Sequence, residues 1–368
     1  MNPPVTPLFK VFMPESVAAA MTRTLYSGFL AEGAQVREFA RLIGEYTGNP
    51  NVVPVSSCTM ALTVALRLSG VGPGDEVIST PLTCIATNLP IVQLGAKIVW
   101  ADCDPADGMT DPAQVEALIT PRTKALIVLH KEGDPARLDE FLAIARKHGI
   151  KLIEDAAHAF GSRYKGRMIG THGDYICYSF QAIKHITTGD GGALVCRDPE
   201  DVHAARRFKW FGVEREARTG GNTWDIDVTH DGYKGNMNDI AATLGVEQMK
   251  HVHEVIGAFH RNGRHFEHLL ADVPGMTAVR RDPRDESTYW GFCALVENRE
   301  GFARKMREHG VDARQIHPRN DTLSVFSEFR RPLPGVDFFD PREICLPCGW
   351  WVTPEEVERI ADVAKSGW

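Results

Sequence analysis

Little in this sequence of 368 residues suits a membrane or a nucleic acid. No uninterrupted apolar stretch is long enough to span a bilayer. The opening Met-Asn-Pro-Pro-Val-Thr-Pro lacks a basic segment followed by an apolar core, so no signal peptide is expected. No dense Lys/Arg stripe offsets the formal net charge of -7, which argues against nucleic-acid binding. Arg280, Arg281 and Arg284 come nearest to a basic cluster, but Asp282, Asp285 and Glu286 interrupt them, as in a solvated loop. Internal repeats and low-complexity segments are absent. Eight cysteines are scattered, mostly inside apolar segments (Cys177, Cys196, Cys293), the pattern of reduced, buried thiols in a cytoplasmic protein. Cys345 and Cys348 have metal-like spacing, yet no second Cys or His pair lies nearby, and Pro347 and Trp350 fit a packed turn; no metal is expected.

A hydrophobic content of 43% and a charged content of 24% are ordinary for a soluble globular protein, and the length suits two domains or one large domain with a lobe. Between residues 50 and 200, short apolar runs alternate with helical stretches. Val52–Val55, Asp75–Ile78, Lys97–Trp100, Ala125–Leu129 and Lys151–Ile153 read as strands. Thr59–Leu68 reads as a helix with Ala61, Leu62, Ala65 and Leu66 on one face, and Leu138–Lys147 as an amphipathic helix stopped by Gly149. This alternation predicts an α/β fold, with a mostly parallel sheet and helices on both faces. Later the pattern changes: a long helix over Glu247–Leu270, a strand over Thr288–Val296, and helices over Gly301–His309 and Pro354–Ala364. The expected division is a large α/β domain over 1–250 and a smaller α+β lobe over 251–368.

Lys184 stands out by its surroundings. It follows Tyr178-Ser179-Phe180 and precedes the Gly-rich turn Thr188-Gly189-Asp190-Gly191-Gly192 and the apolar run Ala193-Leu194-Val195. That context suits a lysine held at a buried strand–loop–strand junction. Upstream, Asp155 ends the apolar strand of Lys151-Leu152-Ile153-Glu154, at the edge where ligands gather in parallel sheets. A lysine able to form a Schiff base and an aspartate able to pair with a pyridinium nitrogen make the minimal constellation for pyridoxal 5′-phosphate (PLP). As a free amine, Lys184 would move the Cα proton, which requires a depressed pKa. The plainer readings are a structural lysine paired with Asp190, and an aspartate capping a helix over Ala156–Phe160. His158 would hydrogen-bond the cofactor or a substrate, or be a satisfied core histidine. Val55-Ser56-Ser57-Cys58-Thr59 runs from a strand into a helix, where amide hydrogens and the helix dipole favour a phosphate and Ser57 or Thr59 adds a hydroxyl; the alternative is a simple Ser N-cap. Ser179 would close the same site from the other side.

These residues carry a resemblance. The chain resembles the DegT/DnrJ/StrS family of PLP-dependent sugar aminotransferases, of the aspartate-aminotransferase fold (fold type I). The similarity begins at Leu25-Tyr26-Ser27-Gly28-Phe29-Leu30-Ala31-Glu32-Gly33, which looks like the family's N-terminal substrate loop. It continues through Ser57–Leu62, Gly72–Ile78, Glu154–Ala159, Ser179–Lys184, Thr188–Gly192, Gly232–Asp239 and Leu346-Pro347. The resemblance implies that Lys184 carries the cofactor, Asp155 its pyridinium, and Thr59 and Ser179 its phosphate, with His158 beside the ring. It implies that Lys234–Asn236 reaches the phosphate of the neighbouring subunit, so that a homodimer completes the site. Lys184 also separates the chain from the family's deoxysugar dehydratase branch, which has His there. Three positions depart from the pattern: Cys84 stands where many members stack an aromatic residue on the ring, Cys58 replaces a Gly of the phosphate turn, and Lys234 replaces Asn.

At the substrate end, Arg206-Arg207-Phe208-Lys209-Trp210 and Gln315-Ile316-His317-Pro318-Arg319 are dense in groups that bind phosphates and sugar hydroxyls. Phe29, Lys209, Trp210, His317 and Arg319 are the candidate substrate residues, and the family places a substrate-contacting His near His317. The expected activity is amino transfer from an amino acid, glutamate first, to a nucleotide-linked keto-deoxysugar. The alternatives are another carbonyl acceptor (a free keto-sugar, a cyclitol or an octulosonate aldehyde) or a non-catalytic PLP-binding regulator.

Overall fold

In the computed structural model, which describes residues 5–213 and 227–368, the short apolar runs become the strands of one central sheet. Helices α1 (Ser16–Leu25) and α2 (Ala34–Thr47) precede it. Then come β1 (Val52–Val55), α3 (Cys58–Leu68), β2 (Glu76–Ser79), α4 (Ile85–Gln93), β3 (Lys97–Trp100), a short α5 (Pro112–Val115), β4 (Thr123–Leu129), α6 (Leu138–His148) and β5 (Lys151–Asp155). A small ribbon, β6 (Arg163–Tyr164) and β7 (Arg167–Met168), leads to β8 (Tyr175–Ser179), β9 (Gly192–Cys196) and α7 (Glu200–Phe208). The seven-stranded order is β1-β9-β8-β5-β4-β2-β3. Only β9 is antiparallel to its neighbours; the other pairings are parallel.

Alternate residues of each strand enter two different cores. Val53, Ile127, Ile153 and Cys177 join one apolar cluster, while Val52, Leu126, Leu152 and Ile176 join the other. A strand's side chains point alternately to opposite faces, so both faces of this sheet are covered. That is why its strands read as continuous apolar runs rather than alternating ones. Gly149 ends α6 in the left-handed conformation (φ 66°), as its position after Leu138–Lys147 foretold.

The long helix expected over Glu247–Leu270 is two helices, α8 (Asp239–Met249) and α9 (Val252–Leu269), separated at Lys250–His251. Neither glycine nor proline marks the break. It follows from packing: α8 lies against α1 and α2, whereas α9 lies against the last helix of the chain. After α9 come β10 (Met276–Ala278), β11 (Phe292–Val296), α10 (Arg299–Glu308), α11 (Pro334–Phe339), β12 (Glu343–Leu346) and α12 (Pro354–Lys365). An antiparallel sheet β10-β11-β12 and residues of α9, α10 and α12 share a third core. The strand expected from Thr288 starts only at Phe292, because Ser287–Trp290 are drawn into the loop that meets the central sheet.

One cysteine reading is corrected. Cys293 and Cys345 face each other in the β11–β12 register with Cα atoms 4.4 Å apart, and they form a disulfide, so Cys293 is not a reduced thiol. The other six cysteines are free. Cys348 does not share a site with Cys345, since its Sγ lies 3.5 Å from the Phe259 carbonyl. Among the described residues, no helix is long and apolar enough to cross a membrane.

Candidate active site

The carboxyl ends of β4, β5 and β8 and the start of α3 meet at one edge of the sheet, the place where parallel sheets bind ligands. Asp155 ends β5 and is 2% exposed. Its Oδ2 accepts from the Thr87 hydroxyl at 2.6 Å, and its Oδ1 from the Ala157 amide at 3.1 Å. Thr87 is linked in turn to Thr83 at 2.7 Å. Residues 156–160 form turns rather than a helix, so Asp155 caps a turn and its second oxygen is held by a side chain. Burial pushes its carboxyl up, while the Thr87 and Ala157 hydrogen bonds and the Lys184 charge oppose the rise. A carboxylate so placed calls for a cationic partner.

Lys184 lies in the turn after β8, its amide bonded to the Gln181 carbonyl at 2.9 Å. Its Nζ sits 3.5 Å from the centroid of the Trp290 ring. Burial pulls the amine down to about 8, against the upward pull of Glu132, Asp155, Cys58 and Cys84. A substantial fraction of Lys184 is therefore neutral near physiological pH, as a nucleophilic amine requires. His158 stacks on Trp290 (centroids 4.0 Å apart, planes 18°) and runs nearly parallel to His317 (5.6 Å, 12°). Nδ1 of His158 lies 3.0 Å from a carboxylate oxygen of Glu132. Burial and the Lys184 charge push the imidazole well down despite Glu132, so it is neutral. Glu132 goes the other way: burial would raise it, but the Lys131 ammonium holds it well below the usual carboxylate range. His317 is drawn down to about 4, chiefly by burial, and its buried Nε2 has no hydrogen-bond partner among the described residues.

A second cluster borders the first. Ser57 caps α3, accepting the Met60 amide at 3.1 Å, and its carbonyl accepts the Ala61 amide. The amides of Cys58 and Thr59, in the first turn, have no partner within the helix and are available to an anion. Gly192 pairs with Val55 on one side and with Ser179 on the other, so the start of α3 and the end of β8 converge on it. A Cβ on Gly192 would fall 2.5 Å from the Cys58 nitrogen, so only glycine allows this approach. Cys58 is buried, its Sγ 4.0 Å from Asp155 Oδ1 and 3.5 Å from the Cys177 carbonyl. Cys84 is half-buried at the start of α4.

The remaining candidates fall in three places. Asn236 bridges to Val55, and Lys234 donates to Asn236 Oδ1 at 2.8 Å while its ammonium lies 3.6 Å from the Trp210 ring centroid. Lys209 is buried in an ion pair with Glu32, which ties the end of α7 to the segment holding Phe29; Phe29 itself is half exposed. Arg319 is engaged by both carboxylate oxygens of Asp321 (2.7 and 2.6 Å) and by Asp337. Thus Lys184, Asp155, His158, His317, Cys58 and Cys84 share one site. Ser57, Thr59 and Ser179 edge it, and the Arg319 guanidinium is paired with Asp321 and with Asp337 of α11. Sequence reasoning passed over Glu132, Lys131, Thr87 and Trp290. Lys131-Glu132 follows the apolar strand β4 just as Asp155 ends β5, and that parallel was the available signal.

A half-buried lysine whose amine is drawn down to about 8, a buried aspartate at the same sheet edge and a helix start open to an anion suit an enzyme that transfers amino groups. The chain belongs to the DegT/DnrJ/EryC1/StrS aminotransferase family, which it matches over residues 13–365. It is 38% identical over 259 residues to the spore coat polysaccharide biosynthesis protein SpsC of Bacillus subtilis (strain 168), covering 70% of this chain and 67% of that protein. It is 32% identical to a UDP-4-amino-4-deoxy-L-arabinose–oxoglutarate aminotransferase of Shewanella sediminis (strain HAW-EB3), over 96% of each chain. Among solved structures, the sugar aminotransferase CalS13 of Micromonospora echinospora superposes with a TM-score of 0.95 at 34% identity over the whole of both chains.

Proposed function

We propose that this protein moves an amino group from an amino acid, glutamate being the donor, to a keto-deoxysugar carried on a nucleotide, with PLP held at Lys184. The observation that carries the reading is the juxtaposition of an amine drawn down to about 8 with a buried carboxylate that has hydrogen-bond donors but, among the described residues, no arginine or lysine bonded to it. The residues fit the cofactor. Asp155 would pair with the ring nitrogen, the Cys58 and Thr59 amides with Ser57 and Ser179 would hold the phosphate, and His158 would lie beside the ring. When bound, PLP supplies a carbonyl that takes up the amino group and a ring that withdraws electrons from it.

The chain's own groups do the rest. Lys184 Nζ, as a free amine, accepts the proton from Cα of the donor, and in the second half-reaction delivers one to the sugar carbon that receives nitrogen. Neutral His158 offers a hydrogen bond without adding positive charge next to Lys184. His317, with its unpartnered Nε2, suits a sugar hydroxyl, and Phe29, Lys209 and Trp210 suit the nucleotide end. Lys234 and Asn236, beside the end of β1, would complete the phosphate site of a partner subunit in a cytoplasmic homodimer. The break between α8 and α9 supports a division into a large unit over 1–250 and a small one over 251–368. The names of the relatives support the sugar acceptor, and UDP in one of them supports the nucleotide.

The test is the visible absorption spectrum of the PLP-loaded protein before and after glutamate, followed by nucleotide-linked keto-sugars. Glutamate should discharge the band and an accepted keto-sugar should restore it. A band that no amino donor alters would overturn the reading.

A further inference from the structure

Glu132 is the most unusual residue outside the expected set. It lies three residues beyond the end of the apolar strand β4 and is 2% exposed. Its backbone lies in the left-handed region (φ 49°), which a residue with a side chain seldom adopts and which clusters at functional sites. Two of its groups reach the Lys184 site. Its carbonyl accepts the Trp290 amide at 2.8 Å, and its carboxylate contacts Nδ1 of His158 at 3.0 Å. Those two rings stack on each other, and Lys184 rests against the indole. Lys131 holds the carboxylate from the other side at 3.1 Å and is itself held by Glu343 at 2.5 Å.

We propose that Glu132 is a positioning residue for amino transfer: it fixes the His158–Trp290 stack against which Lys184 moves, and it locks His158 in the tautomer with hydrogen on Nδ1 and a bare Nε2. The inference rests on the reading of Lys184 as the reacting amine. His158 Nδ1 and Glu132 Oε2 are buried, 3.0 Å apart and without a hydrogen-bond partner among the described residues, so a small reorientation that lets Nδ1–H donate to Glu132 leaves only an acceptor at Nε2. That acceptor suits a hydroxyl on the cofactor or on the sugar. The same carboxylate is one charge facing Lys184, and Asp155 at the end of β5 is another; the thiols of Cys58 on α3 and Cys84 at the start of α4 and the imidazoles of His158, His317 and His185 are the neighbouring titratable groups. Burial drives the Lys184 amine down, and Glu132 is the largest influence opposing it. Removing the charge while keeping the shape therefore lowers the pH at which Lys184 becomes reactive.

The experiment uses the full-length protein in two states. In the PLP-free protein with ring-15N histidine, the His158 signal, identified by its loss in H158Q, should report hydrogen on Nδ1 in the wild type. In E132D, which keeps the charge but withdraws it by one methylene, the signal should shift toward the other tautomer. In E132Q, the pH midpoint for capture of PLP, followed by visible absorption, should fall below that of the wild type. With the loaded enzyme, kcat should drop by about 10–100-fold, the range found for partners that orient metal-bound histidines, with KM for both substrates little changed. Should E132Q not fold, E132D carries both the tautomer and the kcat measurements. Wild-type tautomer in E132D with an unmoved pH midpoint in E132Q would overturn the inference. A wild-type protein that captures PLP but never reacts with an amino donor would instead overturn the underlying functional reading, and the two failures are distinct.

Discussion

Replacing Thr87 by valine removes one hydroxyl while keeping its shape, and the structure says where the loss is felt. The Thr87 hydroxyl donates to Asp155 Oδ2 at 2.6 Å in a buried site. A hydrogen bond to a charged group contributes about 1.5–3 kcal/mol, and each 1.4 kcal/mol is a factor of ten in binding, so T87V should weaken PLP binding by roughly 10- to 150-fold. The sign with pH follows from the same contact. Burial raises Asp155, and the Thr87 bond is the largest influence holding it down. Without that bond the carboxyl keeps its proton to a higher pH, and a neutral carboxyl does not pair with a pyridinium. PLP affinity of T87V should therefore fall off at a higher pH than wild type as the solution is acidified. The assay is spectral titration of the cofactor-free protein with PLP at several pH values, with T87S as the control that restores the hydroxyl. Thr83 also loses a partner in T87V, so thermal unfolding of the cofactor-free protein separates a general loss of stability from the specific one. If T87V binds PLP as tightly as wild type at every pH, the assignment of Asp155 to the ring nitrogen is refuted.

Only the neutral amine of Lys184 attacks a carbonyl, so the rate of PLP capture by the wild type should climb with pH and level off above about 8; a rate independent of pH would contradict the depressed amine. Lys184→Ala should lose transamination by at least about 10²–10⁴-fold, the contribution of a positioned proton-transfer group, in single-turnover assays with glutamate. Gly192→Ala should push the start of α3 away from β8, since the new Cβ would meet the Cys58 nitrogen at 2.5 Å. PLP affinity should then drop by roughly five- to thirtyfold, the 1–2 kcal/mol that a favourable helix start gives an anion; unchanged affinity would place the phosphate elsewhere. Under denaturing, non-reducing conditions a thiol reagent should titrate six cysteines, and eight after reduction, because Cys293 and Cys345 are bonded to each other.

The central sheet was legible because parallel strands covered on both faces leave unbroken apolar runs, as in Ala125–Leu129 and Lys151–Ile153. Lys184 and Asp155 were legible for a related reason: a charged residue at the end of such a run has no ordinary surface role. The same logic applies to Lys131-Glu132, yet two adjacent opposite charges also describe a solvated turn. Only the tertiary fold, which brings Glu343, His158 and Trp290 around them, distinguishes the two. The α8–α9 break left no trace because it comes from a change of packing partner rather than from a residue that cannot be helical. The Cys293–Cys345 bond was invisible because 52 residues separate the two, and their register is set by β12, a strand too short to stand out. At Arg319 the sequence shows a guanidinium in a promising motif but not its pairing with the aspartate two residues later.

The departure at Cys84 takes a different meaning once the aromatic residues around Lys184 are located. Many members of the family stack an aromatic side chain on the ring at that position, and here a half-buried cysteine takes it. Trp290 supplies aromatic surface in this site, stacking with Phe9 (4.6 Å) and His158 (4.0 Å) and pinned by the bond from its Nε1 to the Ile183 carbonyl at 2.8 Å. Ile183 is the residue before Lys184, so the indole and the lysine are fixed to each other through the backbone. An ammonium against an indole face gains about 0.5–2 kcal/mol, which partly offsets the cost of burying it. Burial and the indole thus act in opposite directions on the same amine. Burial against Glu132 and Asp155 leaves the amine at about 8, close to the balance between proton donor and proton acceptor that the proton transfers proposed for Lys184 would need. A smaller residue at position 84 removes stacking from one side of the site, while the largest influences on that balance, burial and the Glu132 and Asp155 carboxylates, come from elsewhere.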